Sequence, residues 1–351
     1  MKPRPDRQLS RRDFCLASAA PVLLHLERPE RKIRVAVMGI GHAHAPSKVA
    51  TLREMPEFEF VGICEPDSGQ SREGKPFQGV RWLSMKETLE DPSIQFVAVE
   101  SRVQENLGYA QMAVDAGKFI HLDKAPGKDF GKLKKLLADA AAKKRVVQMG
   151  YDWRYHPGMQ AAIEAAKKGW LGEVYGLRAT INKPISREER IQLAAFRGGI
   201  MFELGCHMID RMVDLLGKPK RTSGFMHHDS RIPDGLADNT LAVFEYDRAL
   251  AQIYVAAHQP NGGSYRTFEV LGTNGTATVR PFSPQRLEVD LHEAAGPYKA
   301  GRQPVDLPPE PGYRLSFLEM ARIIHEGATP LYSPEHDLTA QEALLTACQM
   351  L

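Results

Sequence analysis

From Arg34 to Ala45 the chain reads Arg-Val-Ala-Val-Met-Gly-Ile-Gly-His-Ala-His-Ala, an apolar run that breaks at two glycines and continues into a helical segment. A run of this kind is a strand buried on both faces, and the chain must turn sharply to become a helix. Gly39 permits the tight turn. Gly41 lets backbone N–H groups come close to a ligand at the helix N-terminus, where the peptide dipoles favour an anion. This is the phosphate-binding opening of a dinucleotide fold, G-x-G-x-x-[GA], with Ile40, His42 and His44 as further loop residues placed to contact the nucleotide. His44 stands where the third glycine belongs, so an ordinary strand–turn–helix without a ligand is the rival reading.

The next strand strengthens the motif. It runs from Phe58 to Cys64 and ends in Glu65, about 20 residues beyond the glycines. A carboxylate there accepts hydrogen bonds from the adenosine ribose and repels a 2′-phosphate, which favours NAD over NADP. Asp67 adds to that bias and Arg72 weakens it, so NADP stays open.

Ser10-Arg11-Arg12-Asp13-Phe14 and the apolar stretch to Leu26 fit a twin-arginine export leader, with an incidental basic N-terminus as the rival. That stretch is too short to span a bilayer, so no stable membrane span is expected. The leader reading sets residues 1–30 apart and implies export, as a folded protein, to the periplasm or beyond. The chain has 46 basic and 43 acidic residues, mixed along its length, and no basic block with interleaved aromatics, which excludes nucleic acid as a partner. Cysteines 15, 64, 206 and 348 show no C-x-x-C spacing, and no disulfide framework is expected.

Residues 31–150 alternate strands (33–38, 58–64, 94–99, 118–122, 145–149) with helices (46–55, 84–90, 104–116, 129–143). The alternation predicts a doubly wound parallel sheet, a Rossmann domain. Residues 151–351 read as an α+β domain: helices over 157–168 and 200–216, a strand over 174–182, further strands across 220–292, a proline-rich loop over 297–312, and terminal helices over 314–326 and 337–349. A large, open, mainly antiparallel sheet is the expected architecture of this second domain.

Four ordered motifs beyond the glycine turn resemble the Gfo/Idh/MocA oxidoreductases. Ala116-Gly117-Lys118-Phe-Ile-His-Leu-Asp123-Lys124 resembles the family's strand ending in Glu-Lys-Pro. Tyr151-Asp-Trp-Arg154-Tyr155-His-Pro157 resembles its Arg-aromatic-His-Pro segment, and Gly169-Trp-Leu-Gly172-Glu-Val its Gly-x-Leu-Gly turn. Gly198-Gly199-Ile-Met-Phe-Glu203-Leu-Gly-Cys-His207-Met-Ile-Asp210 resembles its Gly-Gly…Asp…His…Asp helix. The resemblance implies a bound NAD, a sugar, alditol or related polyol as substrate, and a homodimer or homotetramer. It places Glu100, Asn106 and Asp123 on the nicotinamide side and Arg154, Tyr155 and Asp210 on the substrate side. Three segments depart from the pattern. Proline comes one residue late in Asp123-Lys124-Ala125-Pro126, Glu203 replaces an aspartate, and Glu100-Ser101-Arg102 replaces Thr-Pro-Asn.

Hydride transfer from a carbinol needs one group to take the hydroxyl proton and another to hold the oxygen. An imidazole titrates near about 6.5 and suits the first task, here His207. Glu203, one helical turn earlier, is placed to fix its tautomer. Lys124, at the carboxyl end of a parallel strand, is placed to stabilise a developing alkoxide. The rival reading makes Glu203, His207, Asp210 and Asp214 the solvated face of an amphipathic helix. His42-Ala-His44 and His227-His228-Asp229 lack metal-site spacing, and no metal is expected.

Three functions stay open on these residues. The first is an NAD-dependent oxidoreductase acting on a polyol. The second is glycoside cleavage through transient oxidation and elimination, and the third is a binding protein that keeps the fold without turnover.

Overall fold

The computed structural model describes residues 31–351 apart from 71 and 73, so the expected leader over 1–30 lies outside the described residues. The first half runs β1 (Ile33–Met38), α1 (Ala45–Glu54), β2 (Phe58–Cys64), α2 (Met85–Glu90), β3 (Phe96–Val99), α3 (Val103–Asp115), β4 (Phe119–Asp123), α4 (Phe130–Ala142) and β5 (Val147–Gly150). These strands form a parallel sheet of order β2-β1-β3-β4-β5, with β3 and β5 buried at every residue. The helix starts follow local chemistry: Ser84 and Glu87 form a reciprocal capping box on α2, and Asp129 accepts from Lys132 N–H at the start of α4.

The order reverses between β1 and β3, which opens a crevice at their carboxyl ends. The loops after those strands meet there. Gly39 adopts φ +79°, and a Cβ at this position would sit 2.5 Å from the Cβ of Ser101. Only glycine satisfies both demands.

The second half contains α5 (Pro157–Lys167), β6 (Val174–Thr180), α6 (Arg187–Leu193), a π-helical turn (Met201–Gly205), α7 (Cys206–Leu216), β7 (Arg221–His227), β8 (Asn239–Glu245), β9 (Leu250–Ala256), β10 (Thr267–Gly272), β11 (Gly275–Val279), β12 (Leu287–Leu291), β13 (Gly301–Val305), α8 (Arg314–Glu326) and α9 (Pro334–Ala347). Its eight-stranded sheet has order β13-β12-β11-β10-β6-β9-β8-β7, and every pair is antiparallel except β6–β9. Burial alternates along β7 and β8, as it must when helices cover one face. The other face exposes Tyr175, Phe225, Leu250 and Tyr254.

Three elements differ from the sequence reading. Residues 297–312 contain the edge strand β13, where Pro304 is tolerated because an edge needs pairing on one side only. Helix α6 lies between two stretches read as one connection. The helix expected over 200–216 opens with the π turn, whose packing is tight: a Cβ on Gly198 would lie 2.3 Å from Cys348 Sγ.

Helix α8, from the far end of the chain, packs on the first sheet. Phe317, Met320 and Ala321 share a buried cluster with Ile33, Val35, Phe58 and Phe96. Cys64, Cys206 and Cys348 are free and buried.

Candidate active site

A cavity of about 410 Å³ lies where the carboxyl ends of β4 and β5 meet the π turn and α7. β4 delivers Lys124, and the turn after β5 delivers Asp152 and Trp153. The π turn contributes Glu203, α7 contributes His207, and Tyr313 closes the side next to α8. A more open cavity of about 430 Å³ on the bare face of the second sheet, around Tyr254, His258 and Tyr265, gathers one imidazole but no carboxylate or ammonium of a described residue. The chemistry concentrates in the first.

Lys124 is almost fully buried, and its ammonium donates to the carbonyl oxygen of Glu203 (2.9 Å) and to the carboxylate of the same residue. Burial works against the charged lysine, but Glu203, with smaller help from neighbours such as Asp123, offsets it and the pKa rises above the ordinary value. Burial likewise opposes the Glu203 anion, and Lys124 holds that carboxyl below its usual range. The pair is charged on both sides. The peptide joining Lys124 to Ala125 is cis, and the lysine reaches the pocket although proline comes one residue late.

Glu203 does not orient His207. The π turn shifts residues 201–205 off the 3.6-residue spacing on which that expectation rests, and the carboxylate turns to Lys124. Nδ1 of His207 has no hydrogen-bond partner among the described residues. Its ring stacks on Trp153 (5.0 Å between centroids) and meets Tyr151 edge-on (5.9 Å). Burial first, then the Lys124 charge, holds its pKa well below 6.5, so the ring is neutral. The helix face expected to be solvated is buried: His207 and Asp210 are both closed off from solvent.

A pocket imidazole that a carboxylate does hold is His44. Its Nδ1 lies 3.1 Å from Asp123 Oδ2. A carboxylate only accepts, so Nδ1 carries the hydrogen and Nε2 keeps a lone pair on a ring that lines the pocket. Burial lowers the His44 pKa to about 4, against the raising effect of Asp123.

Asp123 is the hub of a buried polar cluster that the sequence reading only partly anticipated. Its Oδ2 also meets His42 Nδ1 (2.8 Å) and Lys48 Nζ (3.2 Å). Lys48 is fully buried and further contacts Glu100 Oε1 (3.2 Å) and His121 Nε2 (2.9 Å), whose Nδ1 bonds Gln148 (2.8 Å). Burial opposes ionisation of Asp123, but His42, Lys48 and His44 keep it an anion, whereas burial and the neighbouring Asp123 charge raise Glu100 well above the carboxylate range. Donor atoms of His42, His44 and Asp123 lie within 4.8 Å of one another, and the Lys48 ammonium supplies the positive charge there. Lys48, His121 and Gln148 went unread. A signal existed for Lys48, which occupies the apolar stripe of α1 with Ala45, Val49 and Leu52. Asp152 was also missed: both its carboxylate oxygens are shut from solvent with no partner among the described residues, and burial raises its pKa to about 7.

On the nucleotide side, Glu65 is buried and its carboxylate accepts from the N–H groups of Ile40 (2.6 Å) and Asp67 (2.8 Å), which fixes it beside the glycine turn. The N–H groups of Gly41 and Ala43 donate to no described residue, whereas His42 N–H is bonded to Glu100 O (2.9 Å). Two free donors at a helix N-terminus beside a fixed carboxylate fit a dinucleotide. Glu100, Asn106 and Asp123 are fully buried behind this surface. Asn106 braces the turn that carries Lys124, donating to the carbonyls of Asp123 (3.3 Å) and Ala125 (3.2 Å).

Two residues expected on the substrate side are not brought to the pocket. Arg154 is buried between Asp210 (2.6 Å) and Asp337 (2.5 Å), with Tyr332 stacked on its guanidinium (4.1 Å), and Asp210 also binds Arg211 (2.6 Å). These charges neutralise one another and lock α7 to α9. Tyr155 does line the pocket, although its hydroxyl donates to Glu319.

Comparison with known proteins decides the family. The description "Oxidoreductase family, NAD-binding Rossmann fold" matches residues 33–151, and "GFO/IDH/MocA C-terminal domain" matches residues 159–278. The chain belongs to the Gfo/Idh/MocA oxidoreductase family. Within that family it is 24% identical over 280 residues to an uncharacterised oxidoreductase of Schizosaccharomyces pombe, covering 77% of this chain and 75% of that one. It is 21% identical over 274 residues to trans-1,2-dihydrobenzene-1,2-diol dehydrogenase of Bos taurus, covering 76% and 78%. The fold of UDP-N-acetylglucosamine 3-dehydrogenase GnnA from Acidithiobacillus ferrooxidans superposes with a TM-score of 0.77 at 16% identity, over 92% and 98% of the two chains. GenD2 from gentamicin A biosynthesis, solved with NAD, gives 0.75 at 21% identity, over 91% and 94%. No helix among the described residues is long and apolar enough to cross a membrane.

Proposed function

We propose that this member of the family is an NAD-dependent dehydrogenase acting on the CH–OH group of a sugar, alditol or related polyol. The charged Lys124–Glu203 pair facing neutral His207 across one cavity carries this reading. The N–H groups of Gly41 and Ala43 would hold the diphosphate and Glu65 the adenosine ribose. A nicotinamide held there supplies the hydride acceptor. Lys124 hydrogen-bonds the substrate oxygen and stabilises its developing negative charge, while Glu203 keeps that lysine protonated. His207, uncharged, accepts the hydroxyl proton. Glu65 disfavours a 2′-phosphate, which sets NAD ahead of NADP. The names of the bovine diol dehydrogenase and of the UDP-N-acetylglucosamine 3-dehydrogenase support, as an analogy, a diol or sugar as substrate.

His44 supports a second reading. Glycoside cleavage by transient oxidation needs another base for a C–H proton, and Nε2 of His44 is free to be that base. Net NADH formation from a panel of hexoses, alditols and methyl glycosides favours the dehydrogenase, and cleavage of a methyl glycoside without net NADH favours elimination. No turnover of either kind by a folded, nucleotide-bound protein sinks both.

We further infer twin-arginine export from Ser10 to Leu26, with the nucleotide already bound, and a homodimer or homotetramer built on the bare sheet face that shows Tyr175, Phe225 and Leu250. Mass spectrometry of nucleotide released from the exported protein tests the first. Sedimentation tests the second, and a monomer at micromolar concentration overturns it.

A further inference from the structure

Among the described residues, the pocket contains one cation without a counter-charge. Lys124 is paired with Glu203, and Lys183, which also lines the cavity, with Glu189 (3.0 Å). Arg266 also lines the cavity, but its only hydrogen bond to a described residue runs from Nε to the carbonyl oxygen of Asn182 (3.3 Å). No carboxylate of a described residue pairs with it, and burial alone lowers its pKa from the ordinary arginine value, leaving it charged. Glu310 lines the same cavity, but its carboxylate accepts from Gln285 N–H (3.0 Å) and forms no pair with Arg266. Both Nη groups of Arg266 therefore keep their hydrogens without an acceptor among the described residues. The guanidinium is partly exposed within the cavity, so its Nη hydrogens are available to an anion that enters there.

The guanidinium also shares a neighbour with the chemistry. It sits 5.5 Å from the ring of Trp153, and Trp153 in turn stacks on His207 at 5.0 Å. Arg266 and His207 thus both pack against one indole and line one cavity, so a single small molecule held there can meet both.

We propose that the substrate is a polyol bearing a carboxylate, a sugar acid, whose carboxylate is held in a two-pronged hydrogen bond by Nη1 and Nη2 of Arg266 while a carbinol several carbons away meets Lys124 and His207. This assignment rests on the dehydrogenase reading for its second half only. A planar carboxylate matches the guanidinium fork, which can donate two parallel hydrogen bonds to it.

The test uses the full chain loaded with NADH and isothermal titration with D-gluconate, D-glucuronate and L-tartrate, against D-glucitol, D-glucose and glucose 6-phosphate. At least one acid is expected to bind about 10- to 100-fold more tightly than its neutral counterpart, the discrimination given by a charge-assisted pair. Arg266→Gln removes that preference while NADH affinity and thermal midpoint stay unchanged, and Arg266→Lys restores part of it. The proposal is overturned if no acid binds, if the neutral sugars bind equally well, or if the preference survives in Arg266→Gln. Tighter binding of glucose 6-phosphate overturns it in favour of a phosphorylated substrate. An acid that binds through Arg266 yet never reduces NAD+ leaves this site standing and sinks the dehydrogenase reading instead.

Discussion

The carboxylate of Glu203 bonds the ammonium of Lys124 and leaves Nδ1 of His207 without a partner among the described residues. The acidic residue before the helix histidine therefore acts on the lysine. Replacing it by an amide removes the main charge that offsets burial, so the Lys124 pKa falls. Glu203→Gln is expected to lower kcat by about 10²-fold and to move the alkaline limb of the pH–rate profile to lower pH. An unmoved limb would show that Lys124 does not need this partner.

Asp123 holds His44, His42 and Lys48 at once. Asp123→Asn leaves the Lys48 charge buried with less compensation, and such a change costs about 3–5 kcal/mol. Urea denaturation measures it. The new amide can donate to Nδ1 of His44 and so switch its tautomer, which ¹⁵N spectra of the imidazole report. A Nδ1–H tautomer retained in the variant would mean that Asp123 does not set it.

Asp152 ionises with difficulty because its carboxyl is shut away, and its pKa rises to about 7 in the folded protein. The ordinary value is about 3.9. Between those values the folded state holds a proton that the unfolded state has lost, so this group subtracts stability as pH rises from about 4 through about 7. Asp152→Asn is then expected to be more stable than the parent at about pH 8, by about 1–4 kcal/mol, and equal to it at about pH 4. Denaturation at both values checks the sign.

Arg154, Asp210 and Asp337 form a lock between helices rather than a substrate contact. Asp210→Asn is predicted to lower stability by about 3 kcal/mol or more and to leave KM for the substrate unchanged. A raised KM in a variant of normal stability would return Asp210 to the substrate side.

The parallel sheet was legible because β1, β3 and β4 are apolar runs punctuated by glycine, proline and helix caps. Gly39, Gly41 and Glu65 were legible from their spacing, whereas Lys124 and His207 stood out through the family resemblance of their motifs. The partners were not. Whether Glu203 turns to Lys124 or to His207 is decided by a π turn, which a spacing of four residues reads as an ordinary helix. Arg154 reads as a substrate-side contact in the sequence, and only the return of α9 reveals the Asp337 that already pairs with it. Arg266 shows the reverse case: it sits at the start of a strand without a motif, and is distinguished by the absence of a described acid paired with it. Lys48 is visible only as a charge misplaced in an apolar stripe.

The position of α8 has a consequence for synthesis. Phe58 and Phe96, in the nucleotide half, are covered by Phe317, encoded more than two hundred codons after either. A nascent chain that has released β1 to β5 still exposes an aromatic face, and that face closes only after α8 has been made. The nucleotide-binding half cannot be cut out at residue 150 and expressed alone without exposing Phe58, Phe96 and Val35 to water. Maturation of the nucleotide site is thereby tied to the synthesis of α8.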